Sequence, residues 1–220
     1  PRGVSYCTLA TYGVLFGAGL WGVVNIAMYN GLSAGMSSVF LQFSAFFTIV
    51  LSGLFLNESI NRVHMAGMAF AVAGLLLILY LSNKTSTTLG VVLVLLAAVA
   101  WSVCNLIVKV KKPADMIAFI VWSSLFSLPV LLLMTLWFEG LRPFENLLED
   151  FTWGAGFSIF FQCYITTIGG YLVWNNLMKK YPASMVAPLS LIVPVSGILA
   201  SWLFFDERLR TITARSAVAS

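Results

Sequence analysis

Seven runs of 18 to 26 residues, at positions 6–29, 34–56, 64–81, 88–108, 114–138, 153–178 and 184–205, are apolar enough for each to cross a bilayer as a helix. A transmembrane barrel strand needs only about 10 residues and alternates apolar with polar side chains. Neither feature fits these runs, so the expected class is an all-α polytopic membrane protein. Composition agrees: 60% of the 220 residues are hydrophobic and 9% charged, with a mean hydropathy of +0.96. A soluble domain carries about a quarter of its residues as charges. Nucleic-acid binding, a soluble enzyme and a secreted disulfide scaffold are therefore set aside, and the pI near 9.1 is loop chemistry. Cys7, Cys104 and Cys163 lie within the runs, where thiols act as small apolar packers. Their scattered spacing predicts neither a disulfide nor a metal site.

The joints carry the polar punctuation: Asn30-Gly31, 57–61, 82–88, Lys111-Lys112-Pro113, 139–150 and 179–182. Alternation places Arg2, Arg62, Lys109, Lys111, Lys112, Lys179 and Lys180 on one face of the membrane. The other face receives Lys84 and Arg142, the acidic Glu139, Glu145, Glu149 and Asp150, and a tail with Arg208, Arg210 and Arg215. The positive-inside rule makes the first face cytoplasmic. No secretory signal is read at the amino terminus, which begins at Pro1 and not at an initiator Met.

An internal repeat constrains the topology further. At an offset of 149, residues 34–58 lie over 183–207, with identities at Ala34/Ala183, Met36/Met185, Ile49/Ile198, Ser52/Ser201, Leu54/Leu203, Phe55/Phe204 and Glu58/Glu207. The copies fall in the second and seventh runs, an odd number of crossings apart, so they have opposite orientations. Inverted repeats are a signature of secondary transporters, with the substrate site near the midplane between the copies. If the copies are complete, the first begins about 61 residues before residue 1, and the partner of the third run falls at about 213–230, where no further helix is encoded. Two helices at the front and one at the back are expected to be missing.

The run from Ala34 to Glu58, the segment Trp101-Ser102-Val103-Cys104-Asn105 with Lys109, and the stretch from Ala187 through Pro188, Ser190 and Pro194 to Asp206-Glu207-Arg208-Leu209 resemble EamA-type members of the drug/metabolite transporter superfamily. Within it the likeness is greatest to bacterial exporters of O-acetylserine and cysteine. The resemblance implies seven transmembrane helices, three to nine, of a ten-helix fold built from two inverted five-helix repeats. Residues 1–87 would be an incomplete first repeat, 88–209 a second repeat lacking its last helix, and 210–220 an atypical tail. It implies a multi-pass protein of the bacterial inner membrane, exporting small metabolites by alternating access without a cofactor. Its partners are then a small-molecule substrate and the bilayer, with proton coupling and a homodimer left open.

Candidate side chains follow from polarity inside the runs. Trp101, Asn105 and Lys109 stand four apart on one helix face, offering stacking, hydrogen bonds and a cation along a path. A packed Trp, an interhelical Asn and an interfacial Lys anchor are the plainer reading. Pro188 and Pro194 flank Ser190 and could break the seventh helix so that freed backbone groups line a cavity; a common proline kink is the alternative. Gln42, Gln162, Tyr171 and Asn175 are the remaining cavity candidates, because an amide in hydrocarbon is costly unless satisfied. Glu58 and Glu207 sit at equivalent repeat positions, either gating through Arg62 and Arg208 or anchoring helix ends. His64 reads as interfacial, and Gly13/Gly17, Ala18/Gly22 and Gly197/Ser201 as close-packing pairs. No catalytic or metal constellation emerges. A broad drug or aromatic-metabolite exporter, an inactive truncated product and a seven-helix receptor stay open as alternatives; the receptor is disfavoured by the repeat and by the lack of a Schiff-base Lys in the seventh run.

Overall fold

A computed structural model describes residues 3–59, 61–81, 87–145 and 151–193. Five described helices are long and apolar enough to cross a membrane: α1 (Tyr6–Tyr29), α2 (Ala34–Leu56), α4 (Thr88–Lys111), α5 (Met116–Phe138) and α6 (Trp153–Lys180). Between α2 and α4 lies α3 (Arg62–Leu81), matching the third expected span. The seventh run starts as α7 (Ala183–Val186), continues as a 3₁₀ segment at Ala187–Leu191, and from Pro194 onward lies outside the described residues.

Local chemistry sets the helix ends. Ser5, Ser33, Thr87, Asp115 and Thr152 each accept a hydrogen bond from the backbone N–H three residues on, satisfying a donor that the first turn leaves free. α4 and α6 run to Lys111 and Lys180, past the expected ends at 108 and 178, because terminal lysines suit the negative end of the helix dipole. Left-handed residues stop two helices, Asn57 (φ 53°) after α2 and Lys112 (φ 43°) after α4.

α4 is the central helix, packing on α1, α2 and the second half of α6, while α5 covers the far side of α1. Small buried residues on α4, including Ala97, Ala98, Ala100 and Ser102, let its neighbours approach closely. Leu20, Ala27, Phe40 and Val94 fill the contact near one end of the bundle, and Leu9, Val108, Phe119 and Met178 fill it near the other. Two helices widen to π geometry partway along, α1 at Leu15–Gly22 and α6 at Phe161–Gly170. α2 breaks at Gln42, whose N–H turns to the carbonyl of Val39 (3.2 Å).

The α1–α5 contact depends on two glycines in the expected close-packing set. A Cβ on Gly13 would overlap the backbone carbonyl of Ser123, and one on Gly17 the Ser127 side chain. A Cβ on Gly22 meets only the flexible end of Met134, at 2.7 Å. Gly13→Ala should therefore destabilise the protein by about 1–3 kcal/mol through forced helix separation, whereas Gly22→Ala should change little. Thermal unfolding in detergent, followed by helix content, checks this; equal effects at the two positions would show that the backbone contact does not govern the pairing.

Candidate functional site

α1, α2, α4 and α6, with Val193 of the seventh run, line a cavity of about 450 Å³. Its walls are aromatic: Trp21 from α1, Trp101 from α4, and Tyr171 and Trp174 from α6. Trp101 and Trp174 stand 6.1 Å apart between ring centroids and are tilted by 50°, and Trp101 meets Tyr171 edge-on at 6.5 Å. Ser37, Ser38 and Gln42 from α2 and Thr166 from α6 add neutral polar groups. No charged side chain lines it among the described residues. Two lining residues each carry a buried polar atom without a hydrogen-bond partner among the described residues, the Ser37 hydroxyl and the Gln42 Oε1 atom.

The lining runs from Met28 and Ala34, at facing ends of α1 and α2, down to Trp101 and Trp174. Beneath those rings lies a polar layer. Asn105, 3% exposed, donates from Nδ2 to the Thr48 hydroxyl (3.1 Å) and accepts at Oδ1 from the Trp174 indole N–H (2.9 Å). It ties α2, α4 and α6 together and fixes the tilt of a cavity wall. The spacing of Trp101, Asn105 and Lys109 thus descends in one line from cavity to polar layer to helix end.

At that end Lys109 pairs with Glu58 at 2.7 Å and donates to the Tyr181 carbonyl at 2.7 Å. The second oxygen of Glu58 accepts the Ala183 N–H at 3.0 Å, capping the start of α7. Lys179 donates to the Pro113 carbonyl at 2.6 Å, closing a further link between α6 and the α4–α5 joint. Of the two readings of Glu58, pairing with Arg62 or anchoring a helix end, the described contacts are with Lys109 and with the N–H at the start of α7. The left-handed turn at Asn57 folds Glu58 back toward α4, with its N–H reaching the Ser52 carbonyl (3.4 Å), while Arg62 is exposed at the start of α3.

Of the candidate residues, Gln42, Trp101 and Tyr171 meet in the cavity, and Asn105 lies behind its wall, bonded to Trp174. Asn175 is buried and donates to the Tyr12 hydroxyl (3.3 Å), joining α6 to α1. Gln162 is exposed on the π-helical part of α6, away from the cavity lining. Pro188 lies in the 3₁₀ segment, where buried Ser190 donates to the Ala187 carbonyl (3.0 Å). Pro194 and Glu207 lie outside the described residues, and Glu58 belongs to the tie just described. Sequence reasoning did not select Trp21, Ser37 or Thr48. The paired serines in an apolar run were a usable signal, whereas nothing in the residue pattern separates Trp21 from a lipid-facing tryptophan.

A family model described as the EamA-like transporter family matches residues 88–220. A protein of Escherichia coli (strain K12) named "Probable amino-acid metabolite efflux pump" is 31% identical over 217 residues, spanning 96% of this chain and 72% of that protein. Its namesake in Salmonella typhimurium matches with the same identity and coverage. An uncharacterized transporter of Bacillus subtilis is 27% identical over 200 residues, covering 89% of this chain and 66% of its own length. No solved structure matches the chain significantly.

Proposed function

The chain belongs to the EamA-like transporter family and is a multi-pass inner-membrane protein of the efflux type, and from that premise we propose that it exports small amino-acid metabolites, such as cysteine or O-acetylserine, through the aromatic cavity. The observation that carries this reading is an aromatic cavity backed on one side by a bonded polar layer. Trp101 and Trp174 sit on the Asn105 layer, and below it Glu58 and Lys109 bind three helices together. The positive-inside rule puts Glu58 and Lys109 at the cytoplasmic face. We read this arrangement as outward-facing, so that alternating access requires the tie to open while the Met28–Ala34 end closes.

The two-repeat architecture, with residues 1–87 in the first repeat, 88–209 in the second and 210–220 as a tail, forms part of the proposal. The family match beginning at residue 88 supports that boundary. So does a structural echo: the break of α2 at Gln42 and the end of the 3₁₀ segment at Leu191 are 149 positions apart, the offset of the repeat. Discontinuous helices at equivalent positions are how such folds build midplane sites. The four aromatic walls also fit a flatter cargo, which keeps a broader drug or aromatic-metabolite exporter as the second reading.

Export of radiolabelled amino acids from cells producing the chain tests both. Medium levels of at least one amino-acid metabolite should rise, and Trp101→Ala should cut that export by about tenfold, the effect of losing roughly 1.4 kcal/mol of cargo binding. Unchanged accumulation for every amino acid, together with export of planar aromatic dyes, would select the second reading.

A further inference from the structure

Resting on that transport reading, we infer that the cavity recognises its cargo by an ammonium group, held between Gln42 and the Trp101–Trp174 pair, and leaves the carboxylate end of an amino acid unread. Four observations converge. First, Gln42 stands at the break in α2, between Ala34–Leu41 and Phe43–Leu56, and lines the cavity. Second, the Gln42 Oε1 atom, on a residue only 8% exposed, has no hydrogen-bond partner among the described residues, so an acceptor stands ready in a buried place. An unsatisfied buried acceptor is costly and gains most from a charged donor.

Third, the rings of Trp101 and Trp174, splayed by 50° at 6.1 Å, present π surfaces on the same cavity wall. Indole faces attract ammonium groups, most strongly where water is excluded. Fourth, no charged side chain of either sign lines the cavity among the described residues, so a cargo charge meets only neutral dipoles and π surfaces there, and π faces favour a cation. The Ser37 hydroxyl, 3% exposed and unpartnered, lies five residues before Gln42 toward the Met28 end and can hydrogen-bond a neutral carbonyl or hydroxyl of the cargo. The class of ligand is therefore a primary amine with a small apolar or weakly polar body. Amino acids are members of it, and their amides, esters and decarboxylated amines bind at least as well.

Equilibrium binding to the whole chain in nanodiscs, read by tryptophan fluorescence, separates the possibilities. The probes are phenethylamine, phenylalanine methyl ester, phenylalanine and N-acetylphenylalanine. The first three should bind within a few-fold of one another, and the acetylated compound at least tenfold more weakly. Gln42→Glu should tighten phenethylamine binding severalfold and Gln42→Leu should weaken it severalfold, with both variants retaining their helix content. Equal binding of the acetylated compound, or weaker amine binding in Gln42→Glu, would overturn the ammonium subsite. Amine binding without export of any amine overturns the transport reading and leaves the subsite standing; export with no preference for a free amine does the reverse.

Discussion

In the Lys109→Met protein, a cysteine placed at Ser52 becomes reactive from the Glu58 side of the membrane, and export falls by roughly five- to 150-fold. Lys109 makes two contacts at once, to the Glu58 carboxylate and to the Tyr181 carbonyl, and so joins the ends of α2, α4 and α6. Removing it leaves Glu58 with the Ala183 N–H alone. Losing one partner of a desolvated charge pair costs about 2–5 kcal/mol, mostly from the stranded charge. The side chains here retain 11% and 21% of their exposure, so water screens part of this, and roughly 1–3 kcal/mol is the expected bias toward the opened end. Ser52 is buried on α2 between Thr48 and Glu58, and serine-to-cysteine is a small change of volume. The assay requires Cys7, Cys104 and Cys163 to be replaced by alanine. Combining Glu58→Gln with Lys109→Met removes the stranded charge and should recover thermal stability while leaving Ser52→Cys reactive. A double variant that also restores full protection and export would show that the pair only packs the helix ends.

The same pair shows what a single sequence reveals and what it conceals. Spacing of four put Trp101, Asn105 and Lys109 on one face, because helical periodicity is a property of the chain itself. The helix starts at Tyr6, Ala34, Thr88 and Trp153 were legible because the apolar runs begin there, and the structure adds the polar cap before each. The identity of Glu58's partner was not legible, since it depends on how the left-handed turn at Asn57 aims a side chain across space. Asn175 and Gln162 illustrate a second limit. Both are amides on one helix, and composition treats them alike. Yet they stand thirteen residues apart, which at about 100° per residue puts them on nearly opposite helix faces, and Gln162 is exposed while Asn175 is buried against Tyr12. The cavity itself was foreshadowed by polarity and not by shape: Gln42 and Tyr171 were found as polar groups in hydrocarbon, while Trp21 looked like any other apolar residue.

Asn105→Leu should cost the protein several degrees of thermal stability and at least tenfold in export. The leucine fills comparable volume but leaves the Thr48 hydroxyl and the Trp174 indole N–H without the partners they hold at 3.1 and 2.9 Å. Each stranded buried group costs about 1–3 kcal/mol, and for a chain of this size a loss of 1 kcal/mol lowers the melting temperature by about 2–4 °C. Stability and function can then be separated by removing the orphans. In the triple variant Asn105→Leu/Thr48→Val/Trp174→Phe no polar group is stranded, and replacing all partners of a buried network by apolar groups of similar shape is nearly neutral. The melting temperature should return to within a few degrees of the parent. Export should stay at least tenfold down, because the ring at position 174 is no longer held against Trp101 at the angle that shapes the cavity wall. Trp174→Phe alone, with Asn105 and Thr48 intact, should lie between the two, since one ring face survives but its hydrogen bond does not. If the triple variant regains both stability and export, Asn105 is interhelical glue and the cavity wall tolerates a freely rotating ring. If it regains stability alone, the bond from Trp174 to Asn105 positions the wall on which cargo rests.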